Sequence, residues 1–103
     1  MSHLDNAKTA LLESQNIYQR FYAQEDLAKT LNNLGNIYRH QGNTQEALRC
    51  YEQCLDIYEL LGMKLYRHGV ALAYGNLGLL AIQQQELNKA ISYYEQPSAA
   101  LKI

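Results

Sequence analysis

Leu31-Asn32-Asn33-Leu34-Gly35-Asn36-Ile37-Tyr38 returns as Tyr74-Gly75-Asn76-Leu77-Gly78-Leu79-Leu80-Ala81, and each stretch precedes an alanine-centred segment ending in aromatics. Leu34 and Leu77 lie 43 residues apart, as do Ala47 and Ala90, so both halves of the unit keep one register. A partial third copy lies upstream, where Ala7, Leu11, Ile17 and Tyr18 match Ala47, Tyr51, Ile57 and Tyr58 at an offset of 40. A unit that cannot cover its own apolar face must stack on a copy of itself. The chain therefore reads as an all-α solenoid of antiparallel helix hairpins holding roughly two and a half units.

Glycine and proline position the expected helices. The lone proline is Pro97, and apolar residues recur at helical period, which predicts about five helices. The first, near 5–21, begins with a capping box from Ser2 and Asp5 and lines Ala7, Leu11, Ser14, Tyr18 and Phe21 along a face that needs a neighbour. The second, near 25–41, spaces Leu27, Leu31, Leu34 and Tyr38 along its apolar side and ends at Gly42. Asn43 and Glu46 form a capping box for the third, near 44–61, which buries Ala47, Tyr51, Cys54, Tyr58 and Leu61 and exits through Gly62. The fourth, near 63–84, turns Val70, Tyr74, Leu77 and Ala81 inward. The fifth starts near Leu87 and is held by Ala90, Ile91 and Tyr94. Its entry turn has Gln85-Glu86 where the earlier copy has Gly42-Asn43, so it is expected to be the softer one. Pro97 leaves the last helix short or kinked.

At 103 residues and 48% hydrophobic content the chain suffices for one core, taken as a single domain over 1–103: a half repeat at 4–22, a repeat at 25–62 and a repeat with a divergent end at 63–103. A formal net charge of −1 offers no basic footprint for nucleic acid. No apolar run reaches the roughly 20 residues of a membrane span, and the first six residues lack the pattern of a signal peptide, so a cytoplasmic address is expected.

The pattern Leu34, Gly35, Tyr38, Ala47, Tyr51 and Cys54 resembles the tetratricopeptide repeat family, with cysteine in place of the last alanine. In the next unit Leu77, Gly78, Ala90 and Tyr94 match, while Ala81 replaces the aromatic and Pro97 the small residue. The unit exceeds the 34 residues of the ordinary repeat. It is similar to the long-helix subtype of kinesin light chains and spindle-orientation scaffolds, whose Asn-Leu-Gly triplet corresponds to Asn33-Leu34-Gly35 and Asn76-Leu77-Gly78. The resemblance implies a non-catalytic module that binds a peptide or helical segment of a protein partner in a concave groove, with the asparagine bonding the partner's backbone. Relatives that bind chaperone tails use a carboxylate clamp. Asn36 and Asn76 match two of its amide positions, but Asn32 stands at its first basic position, so no anchor for a C-terminal carboxylate is expected.

Physical reasons favour the same residues. Glycine inside a helix costs about 0.5 to 1 kcal/mol against alanine, so Gly35 and Gly78 imply a close neighbour, with Tyr51 or Tyr94 packing beside them. Asn32, Asn33 and Asn36 crowd five positions with a middling to poor helix former, which calls for an offsetting role. A carboxamide both donates and accepts, which suits a strand laid across the helices; a solvated amide, or one bonded to a neighbouring helix, is the simpler alternative. Lys29, Arg39 and His40 share that expected face, and Leu72, Leu79 and Gln83 join Asn76 on the next unit.

Other chemistry is not indicated. There is no Gly-rich phosphate loop, no His-Glu-x-x-His and no Gly-x-Ser-x-Gly turn, so no enzyme and no cofactor is expected. Cys50 and Cys54 supply two thiols without a third metal ligand and read as buried free cysteines. Tyr18, Tyr38, Tyr51, Tyr58, Tyr74 and Tyr94 fall at packing positions. An opening half repeat and an uncapped end leave apolar faces at both ends, which predicts either self-association through the terminal helices or a place within a longer regulatory repeat protein. The tail at 100–103 resembles residues 54–57 displaced by three, and its Leu101 and Ile103 would serve an exchange of the last helix between chains.

Overall fold

The computed structural model describes residues 3–100. Four helices run in the order α1 (His3–His40), α2 (Thr44–Leu61), α3 (Arg67–Gln83) and α4 (Leu87–Ala100). α1 packs on α2 and α3 on α4, each pair joined by a three-residue turn, and the hairpins meet mainly through α2 and α3 with α1 touching α3.

The helix count corrects the expected five to four. The first two expected helices are one, because Tyr22-Ala23-Gln24 at their junction contains neither glycine nor proline and nothing stops helical propagation. At 1.5 Å per residue, 38 residues extend about 57 Å, which accounts for a longest dimension of 65 Å. α2 has only 18 residues, so the first half of α1 overhangs its hairpin partner, and every side chain from 6 to 20 is exposed. Tyr18 is therefore not a packing residue in this arrangement. Ser2, one member of the expected capping box, and the tail residues 101–103 lie outside the described residues.

The packed stripe of α1 is rotated from the expected one. Ala28 and Gly35 are buried, Leu31 and Tyr38 are partly buried, and Leu27 and Leu34 stay exposed. On α2, Ala47, Cys50, Tyr51, Cys54 and Tyr58 are buried and Leu61 only partly so. α3 begins later than expected, after the turn 62–66, and buries Val70, Ala73, Leu77, Gly78, Leu80 and Ala81, with Tyr74 partly buried. Leu77 and Val70 are almost fully enclosed, each contributing roughly 1.5 to 3 kcal/mol by burial. Ile91 is exposed and Tyr93 takes its place against the core beside Ala90. Pro97 neither stops nor shortens α4, which continues through it to Ala100.

Both hairpin turns close in the same way. After α1, Gly42 N–H donates to Arg39 C=O and Asn43 N–H to Tyr38 C=O; after α3, Gln85 N–H donates to Ile82 C=O and Glu86 N–H to Ala81 C=O. These are paired 5→2 and 6→1 bonds around a residue of positive φ, a Schellman end. Gly42 takes φ 77° there, and Gln85 is forced to φ 62°. Asn43 precedes α2 without a side-chain cap bond, so the expected capping box does not form; Glu46 instead pairs with Arg49 at 3.6 Å.

Three glycines receive tyrosine rings. A Cβ on Gly35 would meet Tyr51 at 2.6 Å, one on Gly78 would meet Tyr94 at 2.6 Å, and one on Gly69 would meet Tyr58 at 2.5 Å. The first two pairs hold each hairpin together in one register. The third joins the hairpins, fixing how α3 sits on α2.

Candidate functional site

The surface shared by the second half of α1 and by α3 carries the expected site residues, but it divides them. Lys29, Asn32, Asn33 and Leu72 line one groove of about 390 Å³, together with Glu25, Tyr58, Leu65, Tyr66, His68 and Gly69. Helical spacing of three and four brings Glu25, Lys29, Asn32 and Asn33 onto adjoining rows of α1. The turn 62–66 and the start of α3 form the facing wall. Its apolar portion comes from Leu65, Leu72 and the Tyr58 and Tyr66 rings, which stack with centroids 5.3 Å apart.

Polar groups at this groove are arranged by neighbours. Lys29 Nζ lies 3.1 Å from Glu25 Oε1, and the Tyr66 hydroxyl donates to Glu25 Oε2 at 3.5 Å. Burial pushes the Tyr66 and Tyr58 phenols above their ordinary values, with the Glu25 carboxylate adding to both shifts. Asn33 is exposed on the groove's α1 side.

The remaining amides are engaged between elements. Asn76 Nδ2 donates to Asn32 Oδ1 at 2.9 Å, bridging α3 to α1. Farther along, the Tyr51 hydroxyl donates to Asn36 Oδ1 at 2.6 Å and accepts from Arg39 Nε at 3.3 Å. Gln83 Nε2 donates to the Arg39 carbonyl oxygen at 3.2 Å. Thus Asn36, Arg39 and Gln83 form a second cluster at the far end of the same surface. His40 is exposed at the end of α1, and Leu79 is exposed on α3; neither lines the groove.

Sequence reading missed Glu25, Tyr58, Leu65, Tyr66, His68 and Gly69. Gly69 carried a usable signal, since a glycine near the start of a helix opposite an aromatic of the preceding helix marks close approach. The turn residues had none, because the fourth helix was expected to begin before them.

Cys50 and Cys54 are free and buried. Among the described residues no group of three His, Cys, Asp or Glu side chains could hold a metal ion, and no helix is long and apolar enough to cross a membrane.

Residues 2–60 match a family model described as Tetratricopeptide repeat, and residues 71–96 match a second model of the same description. No curated protein and no solved structure matches the chain.

Proposed function

The chain belongs to the tetratricopeptide repeat family, whose members generally mediate protein–protein interaction, and from that premise we propose that it holds an extended or helical segment of a partner protein in the groove between α1 and α3. The observation that carries this reading is the groove itself. Apolar walls from Leu65, Leu72 and Tyr58 face the Lys29 ammonium and the Asn33 carboxamide, a combination that takes an apolar side chain and bonds the adjoining backbone. The module has no chemistry of its own and works in the cytoplasm, in keeping with two buried free thiols. Its two stacked hairpins form a short solenoid of the long-helix subtype, supported by the 43-residue spacing.

Asn33 is the residue to test. Asn32, Asn36 and Asn76 have internal partners, so their loss confounds binding with stability, whereas Asn33 is exposed. A peptide library displayed on phage and selected on the folded chain should enrich sequences that lose binding at least tenfold on Asn33→Ala combined with Leu72→Asp. The variant's helical circular dichroism and melting temperature should stay close to those of the parent. Enriched peptides that bind both chains equally would remove the groove from consideration.

A further inference from the structure

The exposed first half of α1 and the exposed side of its second half correspond to the two sides of a contact that the molecule makes elsewhere. At the offset of 40, residues 7–21 correspond to 47–61 of α2; at the offset of 43, residues 24–40 correspond to 67–83 of α3. α2 packs on α3 through Cys54, Tyr58, Val70 and Ala73, with Tyr51 and Leu77 sharing a second cluster. Carried back by those offsets, the contact pairs Tyr18 with Leu27, Ser14 with Thr30 and Leu11 with Leu34. Both sides are bare: Leu11 is 71% exposed, Tyr18 64%, Leu27 45% and Leu34 36%, whereas Val70 and Leu77 are 0% and 2% exposed.

One straight helix carries both sides, so they cannot meet within it. The change of offset explains why the helix is straight. Between α2 and α3 stand five residues, 62–66, beginning with Gly62 at φ 111°; between the corresponding positions 21 and 24 stand only Tyr22 and Ala23. Three residues are missing, the glycine of the turn among them. A hinge too short to reverse the chain is the condition under which an element packs on another molecule instead of its own.

We propose that two copies of this chain associate by exchanging the first half of α1, each laying residues 7–21 antiparallel along residues 25–38 of the other. The interface is isologous, so both halves of the contact occur twice and the pairing closes on two copies. Charge favours the pairing: Lys8 and Arg20 outnumber Glu13 in the donated half, while Glu25 and Asp26 outnumber Lys29 in the receiving half. The antiparallel register brings Arg20 of one copy to Glu25 of the other. Asp26 stands where Gly69 does, so the Tyr18 ring lies beside its helix instead of over it as Tyr58 does. Glu25 stands at the edge that this interface and the groove share, while Leu11, Tyr18, Leu27 and Leu34 do not line the groove, so the inference does not rest on the groove reading.

Sedimentation equilibrium of the whole chain should return twice the 11.8 kDa chain mass at micromolar concentration. Leu11→Asp with Leu34→Asp should yield a monomer with the parent's far-ultraviolet spectrum per residue retained for α2 to α4. For cross-linking, Cys50 and Cys54 are replaced by alanine and Leu11→Cys is combined with Leu34→Cys. Oxidation should then produce a covalent dimer. A species of single-chain mass that forms the same disulfide internally would mean that α1 folds back on itself, and a single-chain mass with no disulfide would mean that something other than a second copy covers this face; either overturns the proposal. Inserting Gly-Met-Lys after Phe21 restores the missing turn and should convert the dimer to a monomer that closes the disulfide internally. A dimer unchanged by the insertion would overturn the exchange.

Discussion

The Tyr51 ring fills the space beside Gly35 where any other residue would carry its side chain: an added Cβ would meet ring carbons at 2.6 and 2.8 Å. Tyr51 is wholly buried, and its hydroxyl is held by Asn36 and Arg39, so the ring has little freedom to withdraw. Ordinarily Gly→Ala within a helix gains about 1 kcal/mol from propensity. Gly35→Ala should instead destabilise by about 1 to 3 kcal/mol, the range for overpacking, as read from a lower urea midpoint at unchanged slope. Gly78→Ala should cost less, because Tyr94 is 46% exposed and can swing outward. A midpoint that rises for Gly35→Ala would show that the ring is not confined.

The turn after α3 predicts a gain. Gln85 adopts φ 62° in the same Schellman geometry that Gly42 provides after α1, and a side chain in the left-handed region costs roughly 1 to 2 kcal/mol. Gln85→Gly should therefore stabilise by about 1 kcal/mol, net of the larger entropy glycine loses on folding. The reverse change, Gly42→Ala, should destabilise by a similar amount, even though nothing stands within 4 Å of its Cβ position. Thermal melts of the two variants should move in opposite directions.

Hairpin pairing was legible because it rests on local chemistry repeated at one spacing. Glycine and tyrosine recur together at Gly35–Tyr51 and Gly78–Tyr94, so either pair alone announces the other. The continuous α1 was harder to see. Residues 7–21 carry the pattern of a second helix of the repeat, which normally demands a turn next, and the pattern outweighed the absence of any breaker at Tyr22-Ala23-Gln24. The numbers held the clue, since an offset that changes from 40 to 43 is a deletion at the hinge.

Asparagine was informative as a cost and silent about its compensation. Asn36 is offset by Tyr51 within the hairpin, and Asn76 by Asn32 across hairpins, partners separated by 15 and 44 residues that only tertiary geometry could identify. Asn33 opens the Asn33-Leu34-Gly35 triplet and lines the groove instead.

The Asn32–Asn76 bond predicts coupling between the hairpins. At 2.9 Å and partly buried, it should contribute about 0.5 to 1.5 kcal/mol to stability. Asn32→Ala and Asn76→Ala should each lower the urea midpoint, and the double variant should lose less than the sum of the two. A double-mutant cycle isolates that difference, and strict additivity would mean the bond carries no net energy.

Alkaline pH should unfold the protein for a reason built into α2. Burial pushes the Cys54 thiol from its ordinary 9.0 up to about 12, and burial also raises Cys50 and the phenols of Tyr51, Tyr58 and Tyr74. Each of these groups is neutral when protonated, so the folded state keeps a proton that the unfolded chain releases once pH passes the ordinary value. The unfolded state then binds fewer protons, and unfolding free energy falls as pH rises. The contribution is fully present below 9.0 and is lost between 9.0 and about 12 for Cys54. Urea midpoints should accordingly be flat from pH 7 to 8.5 and decline steadily from 9 to 11. Cys54→Ala places a smaller residue at this buried position and removes the thiol, so it should flatten part of the decline and leave the tyrosine share. Ellman's reagent should meanwhile react with Cys54 at pH 8 only as fast as the protein opens, and immediate stoichiometric labelling of the folded chain would contradict the burial that drives the whole effect.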